Sequence, residues 1–200
     1  WESFSLDGTT FVHQGKRYFA WTQRGRTPEQ GGENEGKGTN IYLAQMDSPT
    51  SITGRVALLS KPEFEWETRK YEVNEGPAVL IRNGRVFMTY SASATNDNYC
   101  VGLLTAAADS DLLDPKSWTK SPQPVFKTSE ANRIYGPGHN SYTTPPDGKT
   151  DVFVYHARDY KEIQGNELAD PNRATRAQVL TWKADGTPDF GEPQADTRKK

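Results

Sequence analysis

Three ionisable residues, Asp7, Glu75 and His139, each stand ahead of a hairpin of similar layout in a chain of 200 residues. Two carboxylates and a histidine brought to one place suit hydrolysis of a glycosidic bond. That reaction needs a general acid to protonate the leaving oxygen and a carboxylate on the other side of the sugar. Glu75 lies between Asn74 and the pair Gly76-Pro77, next to the apolar run 78–81. Partial desolvation there, with Asp7 nearby, is expected to raise its pKa and keep it protonated near neutral pH.

The three hairpins read SLDGTTFVHQGKRYFAWT, VNEGPAVLIRNGRVFMTY and PGHNSYTTPPDGKTDVFVYHAR. Their turn glycines, Gly15, Gly84 and Gly148, are 69 and 64 residues apart, and the ionisable residues 68 and 64. Agreement within one residue implies repeated units that place one useful side chain equivalently in each. Each unit reads as an antiparallel meander. The first has strands at 9–13, 17–22, 40–45 and 55–59. The second has strands at 78–81, 85–90 and 99–105 and a short piece near Val125, with Asn83-Gly84 as a strong two-residue turn. The third has strands at 141–144, 151–156 and 178–183, and its fourth strand is in doubt.

Such units, about 45–65 residues each, are how propeller blades look in sequence, with a β-sandwich as the alternative. The expectation is therefore an all-β partial propeller of about three four-stranded blades, at 1–66, 67–130 and 131–200. In that geometry Asp7, Glu75 and His139 converge at one mouth of the central channel, and Arg158, closing the second strand of its unit, reaches the same face. The long segments 23–39 and 159–175 join second to third strands there, as walls of a site or as loose insertions.

Composition agrees with this class. Hydrophobic residues make up 34% of the chain and aromatics 11%, and the 17 glycines and 13 prolines supply turn formers. The net charge of −2 comes from scattered groups and gives no footprint for nucleic acid. No apolar run approaches the ~18 residues of a membrane span, so neither nucleic acid nor membrane is expected as a partner. Cys100 is the single cysteine, which rules out an internal disulfide. Gly31 and Gly32 lack the helix start and Gly-Lys-Ser/Thr of a phosphate cradle.

The runs SLDGTTF, NEGP, YGPGHNSY, DVFVYHARDY and DPNRATRAQVLTWKADGTPDFGEP resemble glycoside hydrolase family 43, a family of five-bladed propellers, and within it the exo-acting α-L-arabinofuranosidases. The resemblance spans nearly the whole chain. It implies an inverting mechanism in which Glu75 is the general acid and Asp7 tunes and orients it. It also implies that His139 lies near the axis, holding a hydrogen bond or a single metal ion such as calcium, with no cofactor otherwise required. Arg158, Trp21 and Asn74 are the expected substrate-binding residues, and Arg158 has a structural salt bridge as its alternative. The family's third acid, the general base, belongs on a blade upstream of Asp7 and is expected to be missing from this chain, leaving the isolated polypeptide inactive or nearly so.

The implied substrate is an arabinose-containing polysaccharide or oligosaccharide, and the implied location is extracellular. An endo-arabinanase or β-xylosidase of the same family is the nearest alternative. A carbohydrate-binding propeller without activity, using Trp1, Trp21, Tyr135 and Tyr142 to stack on sugars, is a further one, which retention of both Asp7 and Glu75 disfavours.

Overall fold

The computed structural model describes residues 3–26 and 37–197, so Trp1 and residues 27–36 of the first long segment lie outside it. Among the described residues the chain is all β apart from two short 3-10 turns, Glu65–Glu67 and Pro115–Ser117. The first sheet runs in the order β1 (Ser5–His13), β2 (Lys16–Arg24), β3 (Thr39–Ser48), β4 (Ser51–Ser60). The second runs β5 (Asn74–Arg82), β6 (Arg85–Ala92), β7 (Cys100–Ala107), β8 (Trp118–Lys120). The third has β9 (Tyr135–Thr143), β10 (Val152–Arg158) and β11 (Ala174–Val179). Beyond it a short pair, β12 (Thr181–Trp182) and β13 (Pro188–Asp189), forms a separate ribbon. Every pairing within these sheets is antiparallel. The first strands β1, β5 and β9 pack side by side, so the sheets follow one another as blades around an axis.

The hairpin turns explain the strand order. Gln14-Gly15 and Asn83-Gly84 each place two residues at positive φ, 49° and 75° in one and 52° and 69° in the other. That backbone matches the twist of two paired strands. The middle strands are buried on both faces, so they read as nearly continuous apolar runs rather than alternating ones. On β6, Val86, Met88 and Tyr90 pack with Tyr18, Ala20, Ile41 and Leu43 of the first sheet. Phe87, between them, faces Phe153, Tyr155 and Ala157 of the third. The odd and even residues of one strand thus serve two inter-blade cores.

Several strands depart from the sequence reading. The strand placed at 178–183 lies instead at 174–179. Its ladder to β10 ends at Val179, and Leu180 turns away to donate its N–H to the Asp151 carbonyl at 2.9 Å. The outer strand of the second sheet is 118–120. Val125, expected in that strand, sits at the opposite end of β7, its N–H bonded to the Val101 carbonyl at 2.8 Å. The third sheet has no fourth strand among the described residues, since β13 pairs with β12.

Between the first and second sheets the Glu67 carboxylate is fully buried at 0% exposure. It accepts from the Glu63 and Phe64 N–H groups at 2.8 and 2.9 Å, from Asn74 Nδ2 at 3.1 Å and from the Tyr90 hydroxyl at 2.9 Å. Lys120 Nζ lies 2.9 Å away, its pKa held below the usual lysine value chiefly by burial. Removing one partner of such a cluster strands the other. Glu67→Ala is therefore expected to cost about 3–5 kcal/mol in denaturant unfolding. A loss below about 1 kcal/mol, the size of an exposed pair, would contradict this account.

Candidate active site

Asp7 and His139 occupy matching places on β1 and β9. Both are left-handed, with φ of 56° and 49°. Each sits in a break of the ladder to the next strand. Asp7-Gly8 together face Trp21 between the pairs Leu6↔Thr22 and Thr9↔Ala20, and His139-Asn140 face Tyr155 between Gly138↔His156 and Ser141↔Val154. These are β-bulges, which bend a strand and re-aim its side chains.

On β5 the equivalent place belongs to Gly76, not to Glu75. The break falls between Glu75↔Ser91 and Ala78↔Thr89, and Gly76 has φ 61°. Glu75 was expected to be the register mate of Asp7 and His139 and is one residue short of it. From 7 to 76 is 69 residues, the same as from Gly15 to Gly84. The physical reason is the positive φ. Glycine takes it at no steric cost, and the His139 ring crowds the spot, since a Cβ on Gly76 would lie 3.3 Å from its Nδ1.

The offset still brings the three side chains together. The Gly76 N–H donates to Asp7 Oδ2 at 3.0 Å, so Asp7 fixes the backbone next to Glu75. Asp7 Oδ1 lies 3.6 Å from His139 Nε2. Glu75 is half-buried, and its pKa is raised above the usual carboxylate value. Burial is the largest cause and the Asp7 charge adds to it. A hydrogen bond from Tyr99 and the charges of His139 and Arg173 oppose it. Glu75 lines a cavity of about 690 Å³ with Leu6, Tyr71, Val73, Thr95 and Leu168. Leu168 comes from the segment 159–173, which therefore forms a wall of this cavity. Lys70 Nζ, 2.5 Å from Glu167 Oε1, ties that wall to the chain ahead of β5.

Three of the expected substrate contacts are otherwise engaged. Arg158 is 2% exposed. Its guanidinium donates to the Thr95 and Glu167 carbonyls at 2.7 and 3.1 Å and pairs with Asp170 at 3.3 Å, so it pins the 159–173 segment to the second sheet. This is the structural salt bridge that the sequence left open. Asn74 is fully buried between Ser60 Oγ, which donates to it at 2.6 Å, and Glu67. Trp21 is 5% exposed, stacked between Phe19 and Tyr42 at centroid distances of 5.2 and 5.6 Å, with Nε1 donating to Gln23 Oε1. The arginine whose charge reaches Glu75 is Arg173, which sequence reasoning passed over although it lies in the run DPNRATR. Tyr99 was also missed, because an aromatic residue at the end of the loop NDNY carries no mark of a site in sequence.

Calcium takes six to eight oxygen ligands, and the carboxylate beside His139 is that of Asp7. Among the described residues no group of three or more His, Cys, Asp or Glu side chains is arranged to hold a metal ion. The ring beside His139 is that of His156, with centroids 6.1 Å apart, and burial pushes the pKa of His156 down to about 3, leaving it neutral.

Two neighbouring acids, one of them lining a cavity, sit on sheets arranged as propeller blades. The solved structures agree on the fold. The crystal structure of an α-L-arabinofuranosidase from Lactobacillus brevis matches with a TM-score of 0.92 and 50% identity, over 100% of this chain and 59% of that one. A thermostable family-43 glycoside hydrolase matches with a TM-score of 0.78 and 27% identity, over 98% of this chain and 60% of that one. The family model for glycosyl hydrolases family 43 matches residues 1–188, and the chain belongs to that family. An extracellular exo-α-(1→5)-L-arabinofuranosidase of Streptomyces avermitilis is 56% identical over 97% of this chain, and α-L-arabinofuranosidase 43 of Humicola insolens is 52% identical over 98%. The chain spans 39% and 40% of the lengths of these two curated relatives.

A carboxyl whose folded pKa is raised binds more protons than the unfolded chain between the two pKa values. Stability is therefore lost as pH climbs through that window and is retained below it. Glu75→Gln is expected to raise the melting temperature at pH 7, with the gain vanishing below about pH 4, where the unfolded-state carboxyl is itself protonated. A gain independent of pH, or a lower melting temperature at pH 7, would contradict the raised pKa.

Proposed function

We propose that this chain supplies the acid side of an inverting exo-α-L-arabinofuranosidase that removes terminal α-L-arabinofuranosyl residues from arabinan or arabino-oligosaccharides. The observation that carries this reading is the Glu75 carboxyl, its pKa raised by burial and by Asp7, which lines a cavity large enough for a sugar. In the reaction the bond from the anomeric carbon to the leaving oxygen breaks, and its electron pair goes to that oxygen. Glu75 gives its proton to the same oxygen. A water attacks the anomeric carbon from the opposite face and yields its proton to a carboxylate base. Asp7 holds the Gly76 backbone and disfavours the charged form of Glu75.

The base is assigned to the part of the relatives' length that this chain does not span, and no step calls for a metal or cofactor. The exo preference and the arabinose specificity follow the relatives' names. Secretion follows the name of the Streptomyces avermitilis enzyme, which is called extracellular.

In the full-length protein Glu75→Gln is expected to lower kcat/KM on arabino-oligosaccharides by about 10²–10⁴ while substrate binding persists, as measured by calorimetry. Unchanged turnover would favour a carbohydrate-binding propeller. The 200-residue chain alone is expected to release no arabinose above background. Measurable inverting hydrolysis by it, followed by NMR of the released anomer, would show that the base lies within these residues.

A further inference from the structure

Tyr99 is wholly buried, and its hydroxyl donates to Glu75 Oε1. Among the described hydrogen bonds it is the partner of that carboxyl. The ring is held on two sides. It stacks on the His156 imidazole with centroids 5.7 Å apart and planes 3° from parallel. It also passes so close to Gly138 that a Cβ there would lie 2.3 Å from the Tyr99 ring, which explains why the run PGHN needs its glycine. The Ser91 hydroxyl accepts the His139 N–H at 2.6 Å and lies beside the same glycine, joining the Tyr99 pocket to the bulge of β9. At the backbone, Tyr99 donates its N–H to the Asn96 carbonyl at 3.2 Å, immediately ahead of β7.

A carboxylic acid with two free oxygens can carry its proton on either and can rotate to present either. A fixed donor on Oε1 removes that freedom, because the proton must then sit on Oε2. The bond also strengthens as the acid gives up its proton, since a donor facing a carboxylate makes a stronger hydrogen bond than one facing a neutral carboxyl. Burial pushes the Tyr99 hydroxyl well above the usual phenol range, so it keeps its proton throughout. We propose that Tyr99 is a positioning residue for the general acid, selecting Glu75 Oε2 as the oxygen that protonates the leaving group. This rests on the reading of Glu75 as the acid. Asp7 from β1, His139 from β9, Arg173 ahead of β11 and His156 from β10 surround the pair, and none of them replaces the Tyr99 bond.

The test compares leaving groups in the full-length protein. Tyr99→Phe keeps the ring, its stack on His156 and its fit over Gly138, and removes only the donor. A sugar leaving group needs protonation, whereas 2,4-dinitrophenolate departs without it. Tyr99→Phe is expected to lower kcat on an arabino-oligosaccharide about 10-fold or more, to leave kcat on 2,4-dinitrophenyl α-L-arabinofuranoside within about twofold, and to leave KM for both unchanged. Equal losses on the two substrates, or no loss on either, would overturn the proposal. Glu75→Gln, run alongside, separates the two levels. If it too lowers both rates equally, the acid assignment fails and the Tyr99 role falls with it. If it spares only the dinitrophenyl substrate while Tyr99→Phe does not, the acid stands and Tyr99 alone is refuted.

Discussion

The site depends on one recurring constraint, the bulge near the start of each innermost strand. Asp7, Gly76 and His139 each adopt a left-handed backbone that breaks the ladder of its strand. Holding a non-glycine residue at positive φ is costly, of order 1–3 kcal/mol each. Asp7 offsets part of that cost through the Gly76 N–H, and His139 through Ser91. The same contacts that stabilise the bulges deliver the functional groups to one mouth.

Around that constraint the polar groups divide by burial. Glu67, Asn74, Lys120 and Tyr90 form a closed network between the first two sheets, and Arg158 and Asp170 form another beneath the loop wall. These groups pair with one another inside the fold. Glu75 differs. One oxygen is taken by Tyr99, and the residue lines the cavity. A carboxyl with half its capacity satisfied, next to a second carboxylate, is poised to hold and release a proton.

Much of the fold was legible in the sequence, for identifiable reasons. Asn83-Gly84 marked its hairpin because both turn positions demand positive φ, and the apolar runs at 78–81 and 85–90 marked strands buried on both faces. The third unit was misread at 178–183 because Leu180 is buried and Trp182 partly buried, and Trp182 lies in β12, which pairs with β13 beyond the ladder rather than in it. At the site, the period identified the right neighbourhood but not the one-residue offset of Glu75, since a bulge is invisible to spacing. Arg158 and Asn74 look exposed at a strand end and a strand start, and long-range partners at Thr95, Glu167 and Glu67 bury them. Tyr99 touches Glu75 across 24 residues, a contact that only the folded chain reveals.

Glu75 holds its proton to a higher pH than an ordinary glutamate because it is buried beside Asp7. The most direct measurement is a carboxyl carbon-13 NMR titration of Glu75 in the full-length protein, repeated in Asp7→Asn. The account predicts a midpoint above the ordinary glutamate value of about 4.3, moving downward when the Asp7 charge is removed. A midpoint at the ordinary value, or one indifferent to Asp7→Asn, would contradict it.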